Sequence, residues 1–526
     1  MHLPLTGSDL SLSDVAAIAR AQRDVVLSDA ARADMARSRG WVASVARGDL
    51  LGEDGQAMPV YGVNTGYGSL ARVRLPLDAI QELSLNLVRS HAAGMGEPVE
   101  PMIVRAMMVL RANALAKGAS GCRPALVDTL CQMLERDVVP VVPSRGSCGS
   151  SGDLAPLAHL GLVLFRGPVD EDASSGHAFY EGEMLSGRQA MARAGIERLI
   201  PLPKEGLAIC NGAQLTTAYA GLAVHDASQL VVDADIAAAM SFEALRGTSR
   251  AFHPGVHALR PYAGAIDSAA WVRACIEGST LADSLPEKVQ DAYSLRCVPQ
   301  IHGAVRDGLS FVRGQVQVEL NAATDNPIFL LDEPGANKAY SAGLFHGEPI
   351  GLAADHLRLV LSELAAISER RLYRLGTGSL SARLPPLLIQ KDRPGLGMMV
   401  PQTTAAALVA ECRAMAWPAG ADSLPTCEDQ EDIVAMSTTA ARRAWTTVQT
   451  VRRVIAIEVM SASLALQWRL EQEPDTVLGR GTRAAHDVVM PLLLAEGTPS
   501  MRAAAIEKAI AAGDLLRAVR DAGVNP

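Results

Sequence analysis

None of the eight cysteines in this 526-residue chain belongs to a C-x-x-C pair. They stand scattered at 122, 131, 148, 210, 275, 297, 412 and 427, which argues against zinc ribbons and disulfide frameworks. A surplus of cations is also missing. With 48 Lys+Arg against 57 Asp+Glu, the formal net charge is −9, unsuited to a broad nucleic-acid surface. No apolar run is long enough for a membrane, because the strongest candidate, 454–468, is broken by Glu458, Ser461 and Ser463. The N-terminus has no basic run ahead of an apolar core, so it does not read as a signal peptide. The expectation is a soluble, cytoplasmic protein with reduced thiols, and no internal repeat or low-complexity tract is evident.

Several catalytic signatures are absent too. Gly66-Tyr67-Gly68 lacks the third glycine and the preceding strand of a dinucleotide loop. Gly149-Ser150-Ser151-Gly152-Asp153 does not fit the G-x-S-x-G elbow of serine hydrolases. His253 and His257 have i,i+4 spacing, but Pro254 and Gly255 lie between them and no H-E-x-x-H occurs. Neither metal nor nucleotide is expected.

What remains is apolar and helical. Hydrophobic residues make up 49% of the chain, ample for a large core. The length allows about three domains or one large helical unit. Helical patterning runs through 83–93, 102–116, 125–136, 206–240, 303–320, 350–375, 403–416 and 431–470. Several of these exceed 20 residues and suit long rods in a bundle. The Gly/Pro-rich breaks near 52–60, 143–153, 166–205, 247–300, 321–349 and 376–402 are where chemistry is expected, on loops held by rods. The chain is divided into an N-terminal domain 1–205, a central bundle 206–480 and C-terminal helices 481–526.

The most informative run extends from Pro143 to His159. Gly146, Gly149 and Gly152 permit a cramped backbone. Asp153 suits the N-cap of the following helix, with Pro156 in its first turn. Ser150-Ser151-Gly152 therefore sits at a helix N-terminus, which favours negative charge.

This run resembles the signature of the ammonia-lyases that build a methylidene-imidazolone from an Ala-Ser-Gly triplet. The resemblance continues in order along 60–435. Tyr61-Gly62-Val63-Asn64-Thr65-Gly66-Tyr67-Gly68 is similar to Y-G-x-N-T-G-F-G, and Ser90-His91-Ala92-Ala93-Gly94 to the S-H-A-x-G of histidine ammonia-lyases. Asn211-Gly212-Ala213-Gln214 resembles N-G-T-Q, and 290–300 resembles Q-D-x-Y-S-x-R-x-x-P-Q. The segments 319–327, Phe345-His346-Gly347-Glu348-Pro349 and Gln430-Glu431-Asp432 match as well.

The resemblance implies a mainly α fold of the histidine/phenylalanine ammonia-lyase type, with a central bundle of long helices and a homotetrameric assembly. It implies an electrophile formed autocatalytically from Ser150, Ser151 and Gly152, and elimination of ammonia from L-histidine to trans-urocanate. Tyr61 matches the family's base. A free phenol keeps its proton to about pH 10, so nearby dipoles or cations would have to stabilise the phenolate. Arg296 is the expected clamp for the substrate carboxylate. Asn211 and Tyr293 are expected to orient the prosthetic group and the substrate amine, with Gln290, Gln300 and Asn326 holding those side chains. His91 and Glu431 resemble the pair that meets the imidazole, and Phe345 belongs to the same substrate-binding set.

This sequence departs from the family pattern in places. Ser150 replaces alanine; that side chain takes no part in ring closure, so cyclisation is expected to survive. Leu344 stands for the usual asparagine, His253 for aspartate and Glu428-Asp429 for Ala-Asn, and the loop 394–399 is shorter. These departures admit two alternatives: a lyase or aminomutase for a modified histidine or for phenylalanine or tyrosine, and, where Ser150 blocks cyclisation, an uncyclised, non-catalytic binder.

Overall fold

The computed structural model describes residues 2–52, 55–66, 73–389 and 397–526. Tyr67 and Gly68 of the Tyr61 motif, and residues 394–396 of the shortened loop, lie outside the described residues. The chain folds into two compact units, each assembled from three stretches. The first contains 1–222, 313–354 and 418–442; the second contains 223–312, 355–417 and 443–526. The three consecutive domains expected from sequence divide the chain elsewhere.

The fold is mainly α-helical, with long rods Gln214–Ala244, Val298–Glu319, Glu348–Gly376 and Ser437–Gln472. Two expected helices are interrupted. The tract 206–240 is two helices, Glu205–Cys210 and Gln214–Ala244, parted at Asn211-Gly212-Ala213. Residues 431–436 lie outside the final rod, which starts at Ser437. Both breaks face the Ser-Ser-Gly loop, as described below.

In the first unit the helix Pro101–Ala116 is buried on nearly every side from Ile103 onward. Proline at its first position costs no hydrogen bond, because that N–H would have no helical partner. Three buried polar side chains on it reach specific partners, although Arg111 Nε and Nη2 have none among the described residues. Arg105 reaches the Ile18 carbonyl (3.1 Å), Arg111 the Asn211 carbonyl (3.0 Å) and Asn113 the Leu320 carbonyl (3.0 Å). All strands among the described residues belong to this unit and form four small sheets. One of them, Met95–Pro98 antiparallel to Pro143–Arg145, delivers the chain after His91 to the start of the Ser-Ser-Gly loop.

The second unit is held by a buried ionic network. Arg371 donates to both oxygens of Glu458, one at 2.8 Å, while Ser241 (2.7 Å) and Ser368 (2.6 Å) complete that carboxylate. Asp235 accepts from Ser268 (2.6 Å), His302 (2.7 Å) and Arg306. Charges this deeply buried are tolerable only when paired and hydrogen-bonded.

Candidate active site

Ser150-Ser151-Gly152 lies in the first unit, where three helices begin: Leu154–Leu164, Gln214–Ala244 and Ser437–Gln472. Asp153 ties the three starts together. Its N–H donates to the Gly212 carbonyl (2.7 Å), and its carboxylate accepts from the Thr216 N–H (2.8 Å) and the Thr438 (2.6 Å) and Ser147 (2.7 Å) hydroxyls. Asp153 therefore does not cap its own helix, as the sequence suggested. It caps the helix Gln214–Ala244 instead, because its side chain points across the loop. Burial pushes its carboxyl pKa up, against the bonds from Thr216, Thr438 and Ser147. The positive ends of the helix dipoles face the triplet from these starts.

Gly152 is the residue the loop cannot exchange. Its φ is +74°, and a Cβ there would collide with the Gly212 backbone, with which it forms a bridge. The approach in turn breaks the expected helix at 211–213. Gly212 is equally hemmed in, since a Cβ would strike Arg111 and Gln214. Asn211 uses the break: its Nδ2 donates to the Ser151 carbonyl (2.8 Å). Gly149, at φ +73°, packs on the Ser437 hydroxyl with no room for a Cβ, and its carbonyl accepts from the Gly347 N–H (2.9 Å). That bond brings the Phe345-His346-Gly347 motif to the loop, with half-buried Phe345 two residues away.

Glu431 stands on the triplet itself. It follows a bridged turn in which the Thr426 N–H donates to the Glu431 carbonyl (3.0 Å). Its carboxylate accepts from the hydroxyls of Ser150 (2.7 Å), Thr426 (2.7 Å) and Ser151. Partial burial alone would raise this carboxyl; the bonds from Ser151, Thr426 and Ser150 outweigh it and hold the pKa below the ordinary range.

His91 ends the helix Leu77–His91, with Nδ1 2.8 Å from the Leu87 carbonyl. A carbonyl only accepts, so Nδ1 carries the proton and Nε2 is the acceptor nitrogen. The segment then turns so that Gly94 packs against Gly146 of the loop, and the Gly94 N–H donates to His159 Nε2 (3.2 Å). Tyr61 occupies a turn between Val60 and Val63, which are buried in a cluster with Val42, Val45, Met58 and Phe329. Asn64 fixes that turn: Oδ1 accepts from the Val60 N–H (2.8 Å) and Nδ2 donates to the Met58 carbonyl (2.8 Å).

Gln290, Tyr293 and Arg296 belong to the second unit. Tyr293 is largely exposed, and the Arg296 guanidinium lies over its ring at 4.8 Å. Arg296 Nε is buried without a hydrogen-bond partner among the described residues. Gln290 is exposed, Gln300 likewise, and in the first unit Asn326 accepts from the Ala342 N–H (2.8 Å). His253 and His257 do not converge: His253 accepts from the Gly255 N–H (3.1 Å), and His257 bonds the Ala251 carbonyl (3.0 Å). Among the described residues no group of three or more His, Cys, Asp or Glu could hold a metal, and no helix is long and apolar enough to cross a membrane.

Sequence reading missed the ties around Asp153 and the role of Arg111, which bonds Asn211 and Gln214 (2.8 Å) together. The signal available was an arginine in the middle of an otherwise apolar stretch of helix. For Thr438 there was none.

The family model for aromatic amino acid lyases matches residues 10–490. A histidine ammonia-lyase of Caldanaerobacter subterraneus is 44% identical over 490 residues, covering 93% of this chain and 92% of that protein. The crystal structure of histidine ammonia-lyase from Trypanosoma cruzi superimposes with a TM-score of 0.87 at 33% identity, covering 99% of this chain and 96% of that one. A tyrosine aminomutase from Streptomyces globisporus reaches 0.89 at 31% identity, covering 99% of both chains.

Proposed function

Because the chain belongs to the aromatic amino acid lyase family, we propose that it removes ammonia from L-histidine without oxidation, releasing trans-urocanate. The observation that carries this reading is the likeness of nearly the whole chain to histidine ammonia-lyases. The partners are a small amino acid and, in a homotetramer, copies of the chain itself; the compartment is the cytoplasm.

The residues present fit a methylidene-imidazolone built from Ser150, Ser151 and Gly152. Closing the ring needs an unshielded nitrogen at Gly152, and the Gly212 backbone leaves no space there for a side chain. Asn211 already holds the Ser151 carbonyl, an oxygen the ring retains. When formed, the group supplies an electrophilic carbon that addresses the poor leaving ability of an amine.

The remaining work falls to this chain's own side chains. Tyr61 takes the β-proton, the step for which a positioned base is worth about 10²–10⁴ in rate. Arg296 binds the substrate carboxylate; its planar guanidinium can form two parallel hydrogen bonds, and the partnerless Nε supports that role. Tyr293 orients the substrate amine beside it, and Gln290 supports these two. At the imidazole, Glu431 offers an ionised acceptor for the N–H, and His91 meets the other nitrogen. Phe345 closes the apolar side of the site.

An aminomutase is the second reading, favoured by the likeness to a tyrosine aminomutase over the whole chain. The two are separated by incubating purified protein with L-histidine and following ammonia and urocanate together. Equal release of both is expected. A β-amino acid without free ammonia would establish the mutase, and no conversion of histidine would overturn the substrate assignment.

A further inference from the structure

We propose that the Ser150 hydroxyl is a positioning group for the Glu431 carboxylate, and that it keeps this task after the triplet has closed. The proposal rests on the reading that Ser150-Ser151-Gly152 forms the prosthetic group.

Two of the three hydroxyls on Glu431 come from the triplet, and they fare differently in ring closure. The Gly152 nitrogen bonds to the Ser150 carbonyl carbon. That carbonyl oxygen leaves as water, carrying the amide hydrogens of Gly152 and Ser151. A second water takes the Ser151 hydroxyl together with the Ser151 Cα hydrogen. Ser151, which bonds Oε1 of Glu431, is thereby lost as a donor. Ser150 is not. Its Oγ sits on a carbon outside the ring and donates to Oε2 at 2.7 Å, beside Thr426 on the same oxygen.

Alanine at position 150 would leave the mature carboxylate with Thr426 as its one hydroxyl donor, beside the Cys427 thiol. Serine keeps Oε2 held by two donors while Oε1 is released toward the substrate. An acceptor fixed at one oxygen and open at the other can take an imidazole N–H without first being reoriented. The titratable groups facing Glu431 are Cys148 from the triplet loop and Cys427 from its own turn. Burial, and then the Glu431 charge, pushes both thiols up, so neither supplies a competing anion at neutral pH. The hydroxyls of Ser151, Thr426 and Ser150 are therefore the main groups that keep Glu431 ionised, with the Cys427 thiol a lesser donor.

The contact can be read without activity. In a Ser151→Ala background, which cannot form the ring, the Glu431 carboxyl is titrated by ¹³C NMR on glutamate-labelled protein and assigned by Glu431→Gln. Adding Ser150→Ala should raise its midpoint by about one pH unit. Ser150→Thr, which keeps the hydroxyl, should restore it. An unmoved midpoint overturns the proposal. In otherwise wild-type protein, Ser150→Ala should still lose two waters by peptide mass while the acid limb of kcat/KM moves upward by a similar amount. A ring-bearing Ser150→Ala protein with an unshifted limb also overturns it. Wild-type protein that loses no water would refute the prosthetic-group reading instead, and the NMR titration would still judge the Ser150–Glu431 contact.

Discussion

At the Tyr61 turn, a single hydroxyl carries the proposed proton transfer, and one substitution removes it. Val60, Val63 and Asn64 fix the backbone, so Tyr61→Phe should leave the fold intact. If the phenol is the base, kcat falls by about 10²–10⁴ with little change in KM. Turnover within a few-fold of wild type would remove Tyr61 from that role. The candidate side chains could be named from sequence because each sits in a motif whose residue type the proposed chemistry demands: a phenol, a guanidinium, a carboxylate, a glycine nitrogen. Their partners could not. Glu431 was read as a group for the substrate's imidazole, and nothing in the spacing of 150 and 431 announces that its carboxylate takes the triplet hydroxyls.

Among the elements, the helix starts around Asp153 govern the loop. Asp153 accepts the Thr216 N–H at the start of the helix Gln214–Ala244 and the Thr438 hydroxyl at the start of Ser437–Gln472. Asp153→Ala would leave the Thr216 N–H and the Ser147 and Thr438 hydroxyls without their acceptor. A loss of about 2–3 kcal/mol is expected in urea unfolding. A loss below about 0.5 kcal/mol would mean that water replaces the carboxylate there. The same elements mark the limits of pattern reading. Sequence periodicity carries straight through 206–240, since no proline interrupts it. The break at 211–213 exists because Gly212 must lie against Gly152, a contact between residues sixty apart.

For the molecule as a whole, buried carboxylates tie stability to pH. In the second unit, burial pushes Asp233 up to about 7, and its Oδ1 has no hydrogen-bond partner among the described residues. The folded state thus holds a proton that the unfolded chain releases near pH 4. Between about pH 4 and 7 the folded state binds more protons, so this group's contribution falls as pH rises and is lost above 7. Glu243, also pushed up to about 7 by burial, acts in the same direction. Asp233→Asn should therefore stabilise the protein at pH 8, on the order of 2–4 kcal/mol, and change little at pH 4. Denaturant midpoints at the two pH values check this, and equal shifts at both would exclude the linkage.

By itself the sequence determined the helical fold class and the family, because these depend on local patterning and on side-chain types in ordered motifs. Only the tertiary structure decided which helix Asp153 caps, where the 206–240 tract breaks, and which hydroxyls hold Glu431. Those outcomes depend on contacts between segments separated by tens to hundreds of residues. Periodicity describes one helix at a time and carries no record of what the neighbouring chain will press against it.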